Sequence, residues 1–257
     1  MSRENVLVIG ITNSGKSALA NVICETEYFE ESESTVRNSN EFQQYDFDYD
    51  DRKYRVIETR FKLMEKEILY KIGRVIRSMP EGISQVLFVV EQRLTAEEKD
   101  KLSEIEEEIL KIKICKYTTI VRAKFKDFKS KDKCKKDEEE LRSSNKKIFN
   151  KKIFNKPRMP TVHVDNPPTH IYVCDDSDDD ITIENNNIRR KKSRIILLDH
   201  LDKVCSKQSN KYKLNMWDRL YESDKSTDNL EERVKSHLKK YDPKVAEMIK
   251  KLTNSSN

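Results

Sequence analysis

The hydrophobic positions begin as a short unbroken run, Val6 to Ile9, that stops at Gly10; they resume after a polar gap as Leu19, Ala20 and Ile23 at helical spacing. This pattern predicts a strand, a loop and a helix in that order. Between Glu41 and Asp50 the residues Phe42, Tyr45, Phe47 and Tyr49 are separated by polar ones, and Tyr54 to Ile57 follows across Asp50-Asp51-Arg52, which predicts an antiparallel hairpin at a sheet edge. Helical periodicity returns from Leu63 to Met79, is stopped by Pro80 and Gly82, and leads into Gln85 to Val90, an apolar run suited to a buried parallel strand. Thr95 and Glu98 form a capping box ahead of Leu102, Ile105, Ile109 and Ile112, so residues 95–113 are expected as an amphipathic helix, with Tyr117 to Val121 as the next strand. Thr161 to Val164 reads as a strand ending at Asp165, and Arg194 to Cys205 as a helix through Ile195, Leu198, Leu201 and Val204. Residues 211–222 and 229–252 are expected to add two or three helices, the last restarting at Asp242-Pro243.

Strands alternating with helices imply an α/β fold: a mainly parallel sheet with helices on both faces and an added C-terminal helical segment. In such sheets ligands bind at the carboxyl ends of the strands. The expected domain is residues 1–207, with a polar insert around 142–190, followed by a helical extension over 208–257. Within the insert, Lys-Lys-Ile-Phe-Asn occurs from Lys146 to Asn150 and again from Lys151 to Asn155, and the acidic run Asp175 to Asp180 reads as a disordered loop.

Composition narrows the function classes. Of 257 residues, 35% are hydrophobic and 38% charged, so part of the chain lies outside a packed core. The net charge of +5 is small and the signs are mixed, unlike a dedicated nucleic-acid binder. The lysine clusters around 146–156 and 239–251 lack interleaved stacking aromatics and read as solvated helix faces. The five cysteines are scattered without a C-x-x-C pair, which argues against a zinc site or disulfide framework and fits reduced thiols in a cytoplasmic protein. His163, His170, His200 and His237 have no metal-ligand spacing, and the acidic run lacks the glycine of a calcium loop. No apolar run approaches the roughly 20 residues of a membrane span.

The chemistry is concentrated in Gly10-Ile11-Thr12-Asn13-Ser14-Gly15-Lys16-Ser17, which fits G-x-x-x-x-G-K-S directly between the first strand and helix. Glycines at these places let backbone amides wrap phosphate oxygens, and the helix that follows favours negative charge at its start. Asn13, Ser14, Gly15, Lys16, Ser17 and Ala18 are therefore the expected phosphate-binding residues, with Lys16 reaching the terminal phosphates and Ser17 ligating magnesium. Kinases, ATPases and GTPases all share this loop.

Residues 5–24, Asn-Val-Leu-Val-Ile-Gly through Ala-Leu-Ala-Asn-Val-Ile-Cys, resemble the opening of the avirulence-induced-gene type GTPases, also called GTPases of immunity-associated proteins. Met79 to Val90 resembles their central strand and its approach, and a weaker likeness runs through Tyr117 to Arg122 and Val164 to Pro168. The resemblance implies a G domain over residues 1–207 that binds GTP or GDP with magnesium and self-associates through its nucleotide-facing surface in the triphosphate state. It also implies a switch threonine closing over the magnesium. Thr35, in the polar loop Glu30 to Asn40, stands at a suitable place and reads equally as a solvated loop threonine.

Two departures stand out. Where the family carries Asp-Thr-x-Gly, this chain has Glu58-Thr59-Arg60-Phe61. Glu58 keeps a carboxylate for the magnesium shell, while Phe61 removes the freedom of a glycine near the γ-phosphate and no glutamine follows to orient water, so slow or absent hydrolysis is expected. After the fifth strand, Ala123-Lys124-Phe125-Lys126 offers lysine where guanine recognition calls for an acid, and Asp127 comes one residue late. Lys124 matches the lysine that lies along the base, and the Asp165-Asn166 turn is placed to meet the guanine edge. The resulting expectation is a GTP-binding association switch; a pseudo-GTPase interaction scaffold and a P-loop ATP-binding protein are the alternatives.

Overall fold

In the computed structural model the described residues are 3–10, 12–31, 42–60, 75–76, 78–91, 114–144, 159–170, 177–207 and 211–213. The chain divides into two compact units, Met1–Lys213 and Leu214–Asn257, and all described residues belong to the first. The expected helix over 95–113, most of that over 63–79, the Lys-Lys-Ile-Phe-Asn repeat, Thr35, Phe61 and the helices beyond 213 lie outside the described residues.

Six strands form one sheet: β1 (Glu4–Gly10), β2 (Phe42–Tyr49), β3 (Arg52–Thr59), β4 (Gln85–Glu91), β5 (Thr118–Ala123) and β6 (Thr161–His163), in the order β2-β3-β1-β4-β5-β6. Every neighbouring pair is parallel except β2 and β3. That pair is the expected edge hairpin. Tyr49 faces Arg52 across a two-residue turn in which Asp50 and Asp51 both have positive φ, 49° and 61°, the twist that matches a right-handed hairpin. β1 and β4 are buried along almost their whole length, and their central runs, residues 6–9 and 86–90, are apolar because both their faces are covered.

The described helices are α1 (Lys16–Cys24), α2 (Lys131–Ser144) and α3 (Ser177–Lys207). Val6, Val8, Val56, Leu87, Val89, Val121 and Val162 point to the side where Leu19 and Ile23 of α1 meet Leu197, Leu198 and Leu201 of α3. On the same side Gln85 donates to Thr119 Oγ1 at 2.5 Å, and Thr119 Oγ1 lies 2.8 Å from His200 Nε2. Burial, helped by Lys203, lowers the His200 pKa, so this histidine is a neutral packing residue of α3.

On the opposite face Arg122 of β5 and its register partner His163 of β6 both reach Asp137 of α2. Arg122 donates to Asp137 through Nε and Nη2, each at 2.8 Å, and His163 Nε2 lies 2.9 Å from the same carboxylate. A third arginine donor meets the Glu91 carbonyl at 2.7 Å. All three side chains are nearly inaccessible, so the cluster fastens α2 over the β5–β6 edge through charge that water cannot screen.

Two expectations are corrected. Asp178, Asp179 and Asp180 are not part of a disordered loop but open α3, which runs well ahead of the expected start at Arg194. Carboxylates in a first turn are favoured by the unpaired amides and positive end of the helix dipole, so an acidic run acts here as a helix start. Residues 211–213 are not helical: Tyr212 forms an isolated antiparallel bridge with Ile83, with N–H···O distances of 2.7 and 2.9 Å.

Burial would raise the Asp137 carboxyl, but the hydrogen bonds and charge of His163 and Arg122 outweigh it and hold the group at about 2. A carboxyl whose folded pKa is depressed contributes stability above its unfolded value and loses it as pH falls through the folded one. Urea unfolding measured against pH is therefore expected to show stability falling from about pH 4 to about pH 2. In Asp137→Asn that acid limb flattens, and at neutral pH the protein is less stable by about 3–5 kcal/mol because Arg122 is left buried without its counter-charge.

Candidate functional site

β1 delivers the chain to a place with no spare room. A Cβ on Gly10 would lie 2.5 Å from the Val89 carbonyl oxygen and 2.8 Å from Ser14 Oγ, so only glycine lets β1 leave the sheet beside β4 and curl at once. Asn13 at φ 65° and Gly15 at φ 90° then bend the loop back on itself. Alternation of this kind turns successive amides inward to make an anion-binding concavity. Gly15 is the N-cap of α1 and supplies no side-chain cap, and no acid occupies the first turn, so neither competes with an anion at that helix start. Ser14, 2% exposed, keeps a buried hydroxyl without a hydrogen-bond partner. Ala18 completes the first turn without adding bulk at the loop mouth.

The charges sit immediately beside this loop. Ser17 Oγ donates to Glu58 Oε1 at 2.6 Å, although the two residues come from α1 and the end of β3. The longer glutamate side chain thus reaches the serine directly. Burial raises the Glu58 carboxyl, opposed by the Ser17 hydrogen bond and then by the Lys16 and Arg60 charges. Burial lowers the Lys16 ammonium, opposed by Glu58. Each group opposes the shift that burial imposes on the other without cancelling it. Arg60 points to Glu30, 3.9 Å away.

Lys124, in left-handed conformation at φ 54°, turns back from the end of β5. Its ammonium donates to the Asn13 carbonyl at 2.9 Å and pairs with Glu91 at 2.9 Å, so the side chain lies across the phosphate loop. Backbone bonds of 3.0 Å from Phe125 N to Val164 O and from Val164 N to Arg122 O join the segments after β5 and β6, which brings Asn166 to the same end of the sheet. Both polar atoms of the Asn166 side chain are buried and have no hydrogen-bond partner. An amide in that state suits a ligand edge with one donor and one acceptor.

The neighbouring acids are committed elsewhere. Asp165 accepts from Arg189 Nε at 2.7 Å and its main chain exchanges hydrogen bonds with Ser193 Oγ, so of the Asp165-Asn166 turn only the asparagine keeps its polar groups free. Asp127 pairs with Lys133 at 2.8 Å and does not turn inward. Lys126 is exposed, and its carbonyl accepts from Arg189 at 2.9 Å. Glu91 and Arg189 were not expected at the site; the acid closing β4 and the basic run of α3 signalled charge without saying what each would meet.

The sequence matches the model of the AIG1 family over residues 4–166. The chain belongs to the AIG1 family. Its fold is that of P-loop GTPases. Toc33 from Arabidopsis thaliana in complex with GDP and Mg2+ is 15% identical at a TM-score of 0.55, covering 83% of this chain and 88% of that one. Toc33 with Mg2+ and GMPPNP is 18% identical at 0.53, covering 82% and 87%. A structure of the chloroplast translocon components atToc33 and psToc159, for whose GTPase activity dimerization is important, gives 17% identity and a TM-score of 0.55 over 81% of this chain and 85% of that one. No curated protein matches the sequence.

In this AIG1-family chain the tightness at Gly10 is a direct test of how the phosphate loop is built. Gly10→Ala is expected to destabilise the protein by about 1–3 kcal/mol in urea unfolding, since the added methyl must displace the Val89 backbone as well as the Ser14 hydroxyl. An unchanged midpoint would show that β1 and β4 separate freely there.

Proposed function

We propose that this chain is a guanine-nucleotide-binding switch with slow or absent hydrolysis, whose triphosphate occupancy controls association through the nucleotide-facing surface. The observation that carries the reading is the meeting of the Ser17 hydroxyl and the Glu58 carboxylate, 2.6 Å apart, beside an uncapped helix start and a half-buried lysine. These are hard oxygen donors next to a phosphate cradle, the donor set a magnesium ion prefers. When bound, magnesium would neutralise charge on the phosphates. Ser17 and Glu58 would hold it, with Thr35 closing from the first switch.

The residues of the chain divide the remaining work. Amides from Asn13 to Ala18 bind phosphate oxygens, Lys16 supplies the positive charge, the Lys124 stem lies along the base, and Asn166 meets the base edge. Hydrolysis is weak in this reading because Arg60 is held toward Glu30 and no glutamine follows Glu58 to orient water. Control of association by the triphosphate is in keeping with atToc33 and psToc159, in which dimerization matters for GTPase activity.

A second reading, an interaction scaffold that dispenses with nucleotide, is favoured by the same Ser17–Glu58 bond, which satisfies both groups without any ion. Titration with fluorescent GTP and ATP in the presence of magnesium separates the two. Micromolar GTP binding that disappears in Lys16→Ala supports the switch, binding of neither nucleotide supports the scaffold, and a clear preference for ATP rejects both.

Asn166→Ala is expected to weaken GTP binding by roughly 10- to 100-fold while leaving inorganic triphosphate unaffected, as follows from losing hydrogen bonds to a base edge. Equal losses for both ligands would remove Asn166 from base recognition.

A further inference from the structure

Helix α3 presents two unlike faces. Ser193, Leu197, Leu198 and Leu201 are buried against the sheet, whereas Ile181, Ile188 and Ile195 are 58%, 41% and 60% exposed. Among the described residues, Tyr28 is the one other large hydrophobic side chain so open to water. Single exposed isoleucines are ordinary on a protein surface. These three recur every seventh residue, the spacing of a helix-pairing seam. Seven residues return the helix to within about 20° of the same direction, so the three form one stripe about 21 Å long, turned away from the buried face.

Charge along the stripe is arranged in opposite halves. Asp178, Asp179, Asp180 and Glu184 precede Ile188, and Arg189, Arg190, Lys191 and Lys192 follow it. Arg189 and Arg190 turn to the protein body, where they pair with Asp165 and Glu31. Glu184 and Lys191 are exposed and, at 100° per residue, lie on the same flank of the isoleucines, four residues before and three after Ile188. A second copy laid antiparallel with Ile188 on Ile188 would set Ile181 against Ile195 in both directions. It would also bring Glu184 of each copy within about 1.5 Å, one residue's rise, of the level of Lys191 in the other. A parallel copy would turn this flank toward the opposite one, placing Glu184 near the level of Asn185 and Lys191 near that of Lys192, with no opposite charge for either.

We propose that the outer face of α3 is a self-recognition surface, on which a second copy of this chain packs antiparallel about a two-fold axis at Ile188. The contact is isologous, so it closes as a dimer. It uses none of the phosphate-loop residues, and it stands whether or not the nucleotide reading holds.

The test is disulfide trapping of the full chain, in a background with Cys115, Cys134 and Cys174 changed to Ser. Ile188→Cys should cross-link to a covalent dimer under mild oxidation. Ile181→Cys and Ile195→Cys should each cross-link poorly alone and efficiently when mixed. In sedimentation without nucleotide, Glu184→Lys should weaken self-association by about tenfold or more, and adding Lys191→Glu should restore it. All the changed α3 residues are exposed, and an unchanged melting temperature confirms that the variants fold. Efficient self-cross-linking of Ile181→Cys would establish the parallel arrangement and overturn the proposal. So would failure of the double exchange to restore association, or a monomer at every concentration, the result expected if residues 214–257 of the same chain cover the stripe.

Discussion

The close approach of β1 to β4 at Gly10 is the constraint on which the remaining structure depends. Parallel pairing of Gly10 with Val89 holds the end of β1 at the centre of the sheet, and the absence of a side chain there lets the next residues turn within one loop onto α1. Because β3, β4 and β5 run parallel to β1, Glu58, Glu91 and Lys124 arrive at the same end without any special device. A sheet with one of these strands reversed would carry its polar terminus to the far edge. The antiparallel member, β2, is at the margin, where its direction costs the site nothing.

The electrostatic balance at that end is set by pairing rather than by solvent. Lys16 and Glu58 each lose hydration, and each shifts toward its neutral form except as far as the other opposes it. Removing either charge therefore leaves its partner worse off than if neither were present. Lys124 behaves differently. It is half exposed and links Glu91 to the Asn13 carbonyl, so its contribution is chiefly to fix the phosphate loop against the segment after β5. The Arg122–Asp137–His163 cluster secures the strands that carry this segment from the other face.

The acid-stability window at Asp137 illustrates what sequence could and could not disclose. β1, β4 and the phosphate loop were legible because apolar runs and a fixed glycine–lysine–serine spacing are local patterns. The β2–β3 hairpin was legible for the same reason, from alternation and the Asp50-Asp51 turn. Asp137, by contrast, lies in a stretch of mixed lysines and acids without apolar periodicity, and its partners are 15 and 26 residues away on two strands. The start of α3 was misread because a run of aspartates is disordered when alone and stabilising when it caps a helix. Asp165 was legible as part of the site, but Arg189 lies 24 residues further on, and no short-range pattern reveals that its guanidinium takes the carboxylate. That pairing leaves Asn166 as the base-edge candidate.

Helix α3 carries these threads together. Asn186 donates to the Pro168 carbonyl at 2.8 Å, Arg189 holds Asp165 and the Lys126 carbonyl, and Ser193 ties the main chain of Asp165. These contacts occupy the turns between Ile181 and Ile195. The helix thus grips the segments after β5 and β6 with one side while the other exposes an apolar stripe. A continuous helix cannot shift one face without the other, because both are fixed to a single hydrogen-bonded backbone. Packing along the stripe would therefore restrain the loop that presents Asn166, and a ligand that orders that loop would favour the helix position the stripe needs. Such coupling requires no change in the sheet, only that the Arg189 and Ser193 bonds hold in both states.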